Sequence, residues 1–146
     1  ALVAAVAEDF RSASDRLALV EGEGGVRIDT ARAVLALVTG KAGVERSARG
    51  LSQKYPPQVV EAMFNNSGYT FLQASRIEEA IAVFDLNTRL FPESANTWDS
   101  LAEAHMGAEH TDLAISYYKK SLVLNPGNAN AERMIEQIEG RTVGSG

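Results

Sequence analysis

The chain resembles itself at a distance of 34 residues, and this period constrains its fold more than any other feature. When residues 61–94 are compared with residues 95–128, positions of matching character face each other. A fixed period of this length indicates stacked supersecondary units, each packing on its neighbours. The matched pairs are Phe64 and Trp98, Ala80 and Ala114, Ile81 and Ile115, Phe84 and Tyr118, Leu90 and Leu124, and Pro92 and Pro126.

Within each unit the apolar residues follow the periodicity of helices, and no run is typical of a strand. Helices are predicted near residues 58–74, 77–90, 95–108, 111–124 and 129–139, with prolines after two of them. Small residues are expected where helices cross closely, and aromatic residues are expected to fill the space between helices. The small ones are Gly68, Ala80, Ala102 and Ala114, and the aromatic ones are Phe64, Phe84, Trp98 and Tyr118.

Residues 58–140 resemble tetratricopeptide repeats (TPRs), which are helix–turn–helix units of this length. The chain departs from the TPR pattern at Ser67, His105 and Glu109. The resemblance implies an all-α, TPR-like solenoid of helical hairpins, with a concave groove that binds protein segments and no catalysis of its own. It is carried by Phe64, Gly68, Phe71, Ala80, Phe84 and Pro92 in the first unit, and by Trp98, Leu101, Ala102, Ala114, Tyr118 and Pro126 in the second.

The two good repeats need further helices to cover their ends. A degenerate helix pair is predicted over residues 29–57, with helices Ala31–Thr39 and Ala42–Lys54, an N-cap at Asp29 or Thr30, and a turn at residues 40–43. Residues 129–140 are predicted to form a capping helix, and residues 141–146 a flexible tail. Residues 1–28 are predicted to form an amphipathic helix (2–19) and a glycine-rich turn. A hairpin of Leu17–Val20 with Val26–Ile28 is the alternative there.

A narrower resemblance covers residues 80–104 and 114–126. These stretches look like the TPR tail that follows bacterial serine hydrolases, both β-lactamase-like and α/β-hydrolase types. The resemblance implies an accessory domain, with the catalytic residues in a separate upstream domain that is itself a candidate partner.

Charge and composition exclude several classes of function. The chain has 14 basic and 19 acidic residues and no cysteine, which removes thiolate metal sites and cysteine nucleophiles. Residues 1–60 have a net charge of +1 and residues 61–146 of −6, without an obvious basic patch for nucleic acid. The longest apolar runs, Ala1–Ala7 and Ala33–Val38, are too short to span a bilayer. Neither a nucleic-acid nor a membrane partner is expected.

Catalytic candidates are few. Ser116 and Lys119 match the Ser-x-x-Lys spacing of penicillin-binding enzymes, but they lie in a predicted helix beside the packing residue Tyr118, and the companion motifs are absent. His105 and His110, five positions apart, do not share a helix face as a metal pair would. His105 is expected to pack or bond between helices, and His110 to lie in an exposed turn. No enzyme activity, metal or cofactor is predicted.

The remaining functional surface is the groove lined by the first helix of each repeat. Because its carboxylates would repel an acidic peptide, the groove favours a neutral or basic protein segment. Two alternatives stay open: the carboxylates form a solvated helix face without a ligand, or the chain self-associates as a homo-oligomer through Val3, Val6, Phe10, Leu17 and Val20. The predicted groove residues are Asn65, Tyr69, Leu72, Gln73, Asn96, Asp99, Glu103 and Met106.

Overall fold

The computed structural model describes residues 25–144, which form seven helices joined by short turns and contain no strand. The predicted all-α, TPR-like fold is confirmed. No helix in this range combines the length and apolarity needed to cross a bilayer. The helices are α1 (Val26–Val38), α2 (Val44–Lys54), α3 (Pro57–Gln73), α4 (Ile77–Leu90), α5 (Ala95–Gly107), α6 (Thr111–Leu124) and α7 (Ala129–Gly144).

The 34-residue period is also a period of the backbone. The turns α3–α4 and α5–α6 each contain one non-glycine residue with positive φ, Ser75 at 60° and Glu109 at 62°. One position later, the amide of Arg76 donates to the carbonyl of Phe71 (2.8 Å), and the amide of His110 donates to that of His105 (2.9 Å). The two hairpins therefore share one turn geometry, although glycine is absent from both turns.

The predicted packing of small residues against aromatic ones is confirmed. Ala80, Ala102 and Ala114 are fully buried, and a Cβ atom on Gly68 would overlap the ring of Phe84. In the next repeat, Ala102 and Tyr118 stand at the positions of Gly68 and Phe84, and both are buried. The other two predicted aromatic residues are Phe64 and Trp98. Phe64 is fully buried, and Trp98 is half-buried beside Tyr117.

Two hydrophobic cores follow one another along the solenoid. The first is formed by α1 to α5 and includes Val34, Phe64, Phe71 and Phe84. The second joins α5 and α6 to the capping helix α7, and its buried members are Ala102, Ala114, Tyr118, Ala131, Ile135 and Ile138. Each core holds a separate part of the array, as expected for units that pack only on their neighbours.

The N-terminal hairpin differs from the prediction at its helix starts. Helix α1 begins at Val26, so the predicted start at Ala31 and the N-cap at Asp29 or Thr30 are wrong. The Thr30 hydroxyl instead donates to the carbonyl of Val26 (2.7 Å), one turn back inside the helix. The alternative hairpin is wrong over Val26–Ile28, which is helical. Its other strand, Leu17–Val20, the helix at 2–19 and the apolar stripe of Val3 to Val20 lie outside the described residues.

The other helix ends follow from the turn residues. Gly43 has a φ of 78°, so α2 begins at Val44 rather than at Ala42. Gly40 has a φ of 77°, as expected after a helix end. The last helix continues to Gly144, beyond its predicted end near residue 139, and so includes residues 141–144 of the predicted flexible tail.

Candidate interaction groove

Helices α3 and α5 bring three predicted groove residues together with one that was not predicted. The hydroxyl of Tyr69 donates to Glu103 Oε2 (2.6 Å), and the hydroxyl of Ser100 donates to Asn65 Oδ1 (2.8 Å). The oxygens of Tyr69 and Ser100 lie 3.2 Å apart, so the four side chains form one polar network. We call these four residues the groove network. Ser100 was missed because it lies one position beyond Asp99, on the side of α5 that faces α3.

Packing fixes the position of Tyr69 within the groove network. Its ring meets the buried ring of Phe84 edge-on, with centroids 5.0 Å apart. Burial, and then the hydrogen bond to Glu103, raise the pKa of Tyr69 well above its ordinary value. Burial, and then the charges of Asp99 and Glu103, likewise raise the pKa of Tyr118. Both phenols therefore stay neutral, and the negative charge of the groove rests on the two carboxylates.

Asp99 has a structural role that the sequence analysis did not assign. Its carboxylate accepts hydrogen bonds from Asn128 Nδ2 (2.8 Å) and Asn130 Nδ2 (3.1 Å) at the start of α7. Asn128 Oδ1 in turn accepts from the amide of Ala131 (3.2 Å), which caps this helix. Asp99 thereby ties the capping helix to α5. The signal that could have found Asn128 is its place 34 residues after Ser94, at the same helix start.

Four other predicted groove residues differ in their surroundings from the groove network. Leu72 packs partly on the first core and Met106 partly on the second. Gln73 and Asn96 are exposed. These four residues therefore lie outside the polar network.

The catalytic candidates lie on α6, away from the groove network. Ser116 is exposed, and the Lys119 ammonium pairs with Glu139 Oε1 of α7 at 3.7 Å. Within residues 25–141, no three His, Asp or Glu side chains are grouped as a metal site would require.

The two histidines are in direct contact. His105 is buried at the end of α5, His110 is exposed in the turn as predicted, and their Nδ1 atoms lie 3.0 Å apart. The ring of His105 also packs on that of Tyr117, with centroids 5.3 Å apart. One imidazole must donate to the other, so at least one ring nitrogen of the pair is unprotonated.

This pair predicts a loss of stability in mild acid. Burial, and then the charge of His110, lower the pKa of His105 below its ordinary value of 6.5, against a smaller opposite effect of Asp85. The unfolded chain then binds a proton more readily, so the stabilisation is complete above about pH 6.5 and is lost as the pH falls toward the lowered pKa. Urea unfolding at successive pH values checks this. In the control variant His105→Asn, the dependence over this range should flatten, and an unchanged dependence would contradict the assignment.

Comparison with known proteins indicates a similarity to a repeat protein. No family model matches the sequence. The chain is 21% identical over 84 residues to the tetratricopeptide repeat domain-containing protein PYG7, chloroplastic, of Arabidopsis thaliana. The two share TPR-like helical repeats. The match covers 58% of this chain and 28% of that protein, so the chain corresponds to a minor part of this relative.

Proposed function

We propose that this chain is a non-catalytic interaction module that binds a protein segment in the groove between α3 and α5. The groove network carries the proposal, because it holds polar side chains of two successive repeats in a fixed arrangement whose outer member, Glu103, is exposed. A side chain that is already ordered loses little conformational entropy on binding. The similarity to a protein described by its tetratricopeptide repeats supports the same class of function.

The preferred segment is neutral or basic. Glu103 is exposed and accepts from Tyr69 through Oε2, which leaves Oε1 available to a donor of the partner. Asp99 adds a second negative charge one turn earlier on α5. An acidic segment would meet two carboxylates, whereas Lys or Arg would be attracted by both. Leu72 and Met106 provide partly exposed apolar surface beside them.

The test compares two carboxylates with different surroundings. We expect Glu103→Lys to weaken binding of fluorescent Lys- and Arg-containing dodecapeptide pools by about tenfold, because an attraction becomes a repulsion. The control Glu132→Lys changes an exposed carboxylate on α7 and should leave binding unchanged. Fluorescence anisotropy measures both. Equal loss in the two variants, or a preference for Asp- and Glu-containing pools, would refute the groove. Asp99→Lys is unsuitable because it also removes the ties to Asn128 and Asn130.

A neighbouring domain of the same polypeptide is the finer form of this proposal. The resemblance of residues 80–104 and 114–126 to the TPR tails of bacterial serine hydrolases supports such an occupant. The reading frame around this segment is the test. A hydrolase domain directly upstream would support an accessory role, and an unrelated upstream sequence would remove it.

Self-association is the second candidate function. It is supported by the apolar stripe of residues 3–20, which predicts a helix with one apolar face. Light scattering over a range of protein concentrations distinguishes it from the groove proposal. A monomer at all concentrations would exclude self-association and leave groove binding intact.

A further inference from the structure

The N-terminal hairpin follows the hydrogen-bonding pattern of the regular repeats in a shifted register. The amide of Gly40 bonds to the carbonyl of Leu37 as that of Ser75 bonds to Leu72, so α1 corresponds to α3 at a distance of 35 residues. The amide of Ser47 bonds to Gly43 as that of Ala80 bonds to Arg76, so α2 corresponds to α4 at a distance of 33. The two additional residues lie in the α1–α2 turn, which contains both glycines with positive φ.

In this register the N-terminal hairpin lacks the rings that fill the regular hairpins. Ala36 stands where α3 has Phe71, and Leu51 stands where α4 has Phe84. Phe71 and Phe84 are at most 1% exposed, whereas Ala36 and Leu51 are both half-buried. In the same register, Asp29 stands where α3 has the buried Phe64. The space between the two helices is left as an open cavity of about 480 Å³.

The cavity has an apolar floor and a cationic rim. Ala33, Ala36, Val44 and Leu51 form the floor, and Arg32, Lys41 and Lys54 lie around it. Among the described residues that line it, Asp29 is the one acidic side chain. Asp29 accepts from Tyr55 (2.6 Å) and Lys54 (3.1 Å) and pairs with Arg32 (3.9 Å).

The whole N-terminal hairpin, like the rim of the cavity, has more basic than acidic side chains. Residues 26–54 contain six basic and two acidic side chains, a net charge of +4 in a chain whose total is −5. The field around this cavity therefore attracts anions, in contrast to the groove.

We propose that this cavity binds a small organic anion with a flat apolar body, of the aromatic carboxylate class. The ring would occupy the volume that Phe71 and Phe84 fill in the next hairpin, against Ala36 and Leu51. The carboxylate would bind Lys41 and the outer side of the Arg32 guanidinium. Lys54 is held by Asp29 at 3.1 Å, whereas Arg32 pairs with Asp29 only at 3.9 Å and is largely exposed. The volume is within the range of small-molecule sites, about 300–1,000 Å³. This proposal uses a different surface from the groove and does not depend on it.

The experiment uses 2-naphthoate as the probe, titrated into the ¹⁵N-labelled full chain. We expect saturable amide shifts confined to α1, α2 and their turn. Ala36→Phe restores the ring of the regular repeats and fills the cavity. It should therefore weaken binding of the probe by at least about tenfold and raise the melting temperature of the protein. Lys41→Glu reverses a charge in an exposed turn and should weaken the probe about fivefold at low salt without altering the fold. The matched control Lys120→Glu, on α6, should leave binding unchanged.

Three results would overturn the proposal. The first is the absence of shifts in α1 and α2 at about 5 mM probe, which corresponds to a binding free energy too small for a site. The second is equal binding by the uncharged analogue 2-naphthamide, since the cations would then have no role. The third is unchanged binding by Lys41→Glu, which remains informative if Ala36→Phe does not fold.

Discussion

Replacing Gly68 with alanine should destabilise the protein by about 2–3 kcal/mol, although the same change inside a helix is ordinarily favourable. The new Cβ would overlap the ring of Phe84, which is fully buried and also in contact with Tyr69. The ring cannot move away because the surrounding core is close-packed, so α3 and α4 must separate. Urea unfolding measures the difference in free energy.

Two further variants distinguish steric overlap with the Phe84 ring from the effect of glycine replacement on the backbone. Gly50 lies inside α2 with nothing near its missing Cβ, so Gly50→Ala should stabilise the protein by about 0.5–1 kcal/mol. Ala33 lies 35 residues before Gly68 and Leu51 lies 33 residues before Phe84, so these two residues hold the corresponding positions of the N-terminal hairpin. The double variant Gly68→Ala/Phe84→Leu reproduces this combination of residues and should recover part of the loss. If Gly68→Ala left the free energy of unfolding unchanged, the inference that α3 and α4 approach closely at this position would be wrong.

Replacing Tyr118 with alanine should remove about 3–5 kcal/mol, and the loss should be confined to the C-terminal part of the array. Tyr118 is 1% exposed and is the largest side chain of the second core. Because the repeats are stabilised by contacts with their neighbours, α6 and α7 should open while α1 to α5, which share the first core, remain folded. Amide hydrogen exchange resolves the two parts: protection should fall in α6 and α7 first.

The comparison variant is Phe84→Ala, at the corresponding position of the first core. Phe84 is fully buried and belongs to the cluster that includes residues of α1 to α5. Its removal should lower the protection of both halves, since the second core rests on α5. Uniform loss of protection in Tyr118→Ala would contradict the division into two cores.

The regular part of the fold could be predicted from the sequence because small and aromatic residues recur at a fixed distance. Ala80 and Ala114 indicate close helix crossings, and both are fully buried. The N-terminal hairpin could not be predicted as well, because its register is shifted by a turn with two additional residues. Its helix start was misplaced because Asp29 resembles an N-cap, whereas its carboxylate bonds to Tyr55, 26 residues away.

The groove network was predicted only in part. The period placed Tyr69 and Glu103, 34 residues apart, on the first helices of adjacent repeats, and the structure joins them by a hydrogen bond. Ser100 and Asn128 were missed, since their roles depend on the rotation and tilt of α5 and α7. Sequence spacing also indicated that His105 and His110 would not share a helix face. The turn nevertheless folds His110 back onto the end of α5.

The sequence alone determined the class of the fold, the length of its units and the residues that fill its two regular hairpins, because helix periodicity and side-chain volume are local properties. The tertiary structure decided which polar groups meet and where space is left. The tie between Asp99 and α7, the histidine contact and the cavity between α1 and α2 all depend on how far apart two helices lie. That distance results from the packing of many side chains at once.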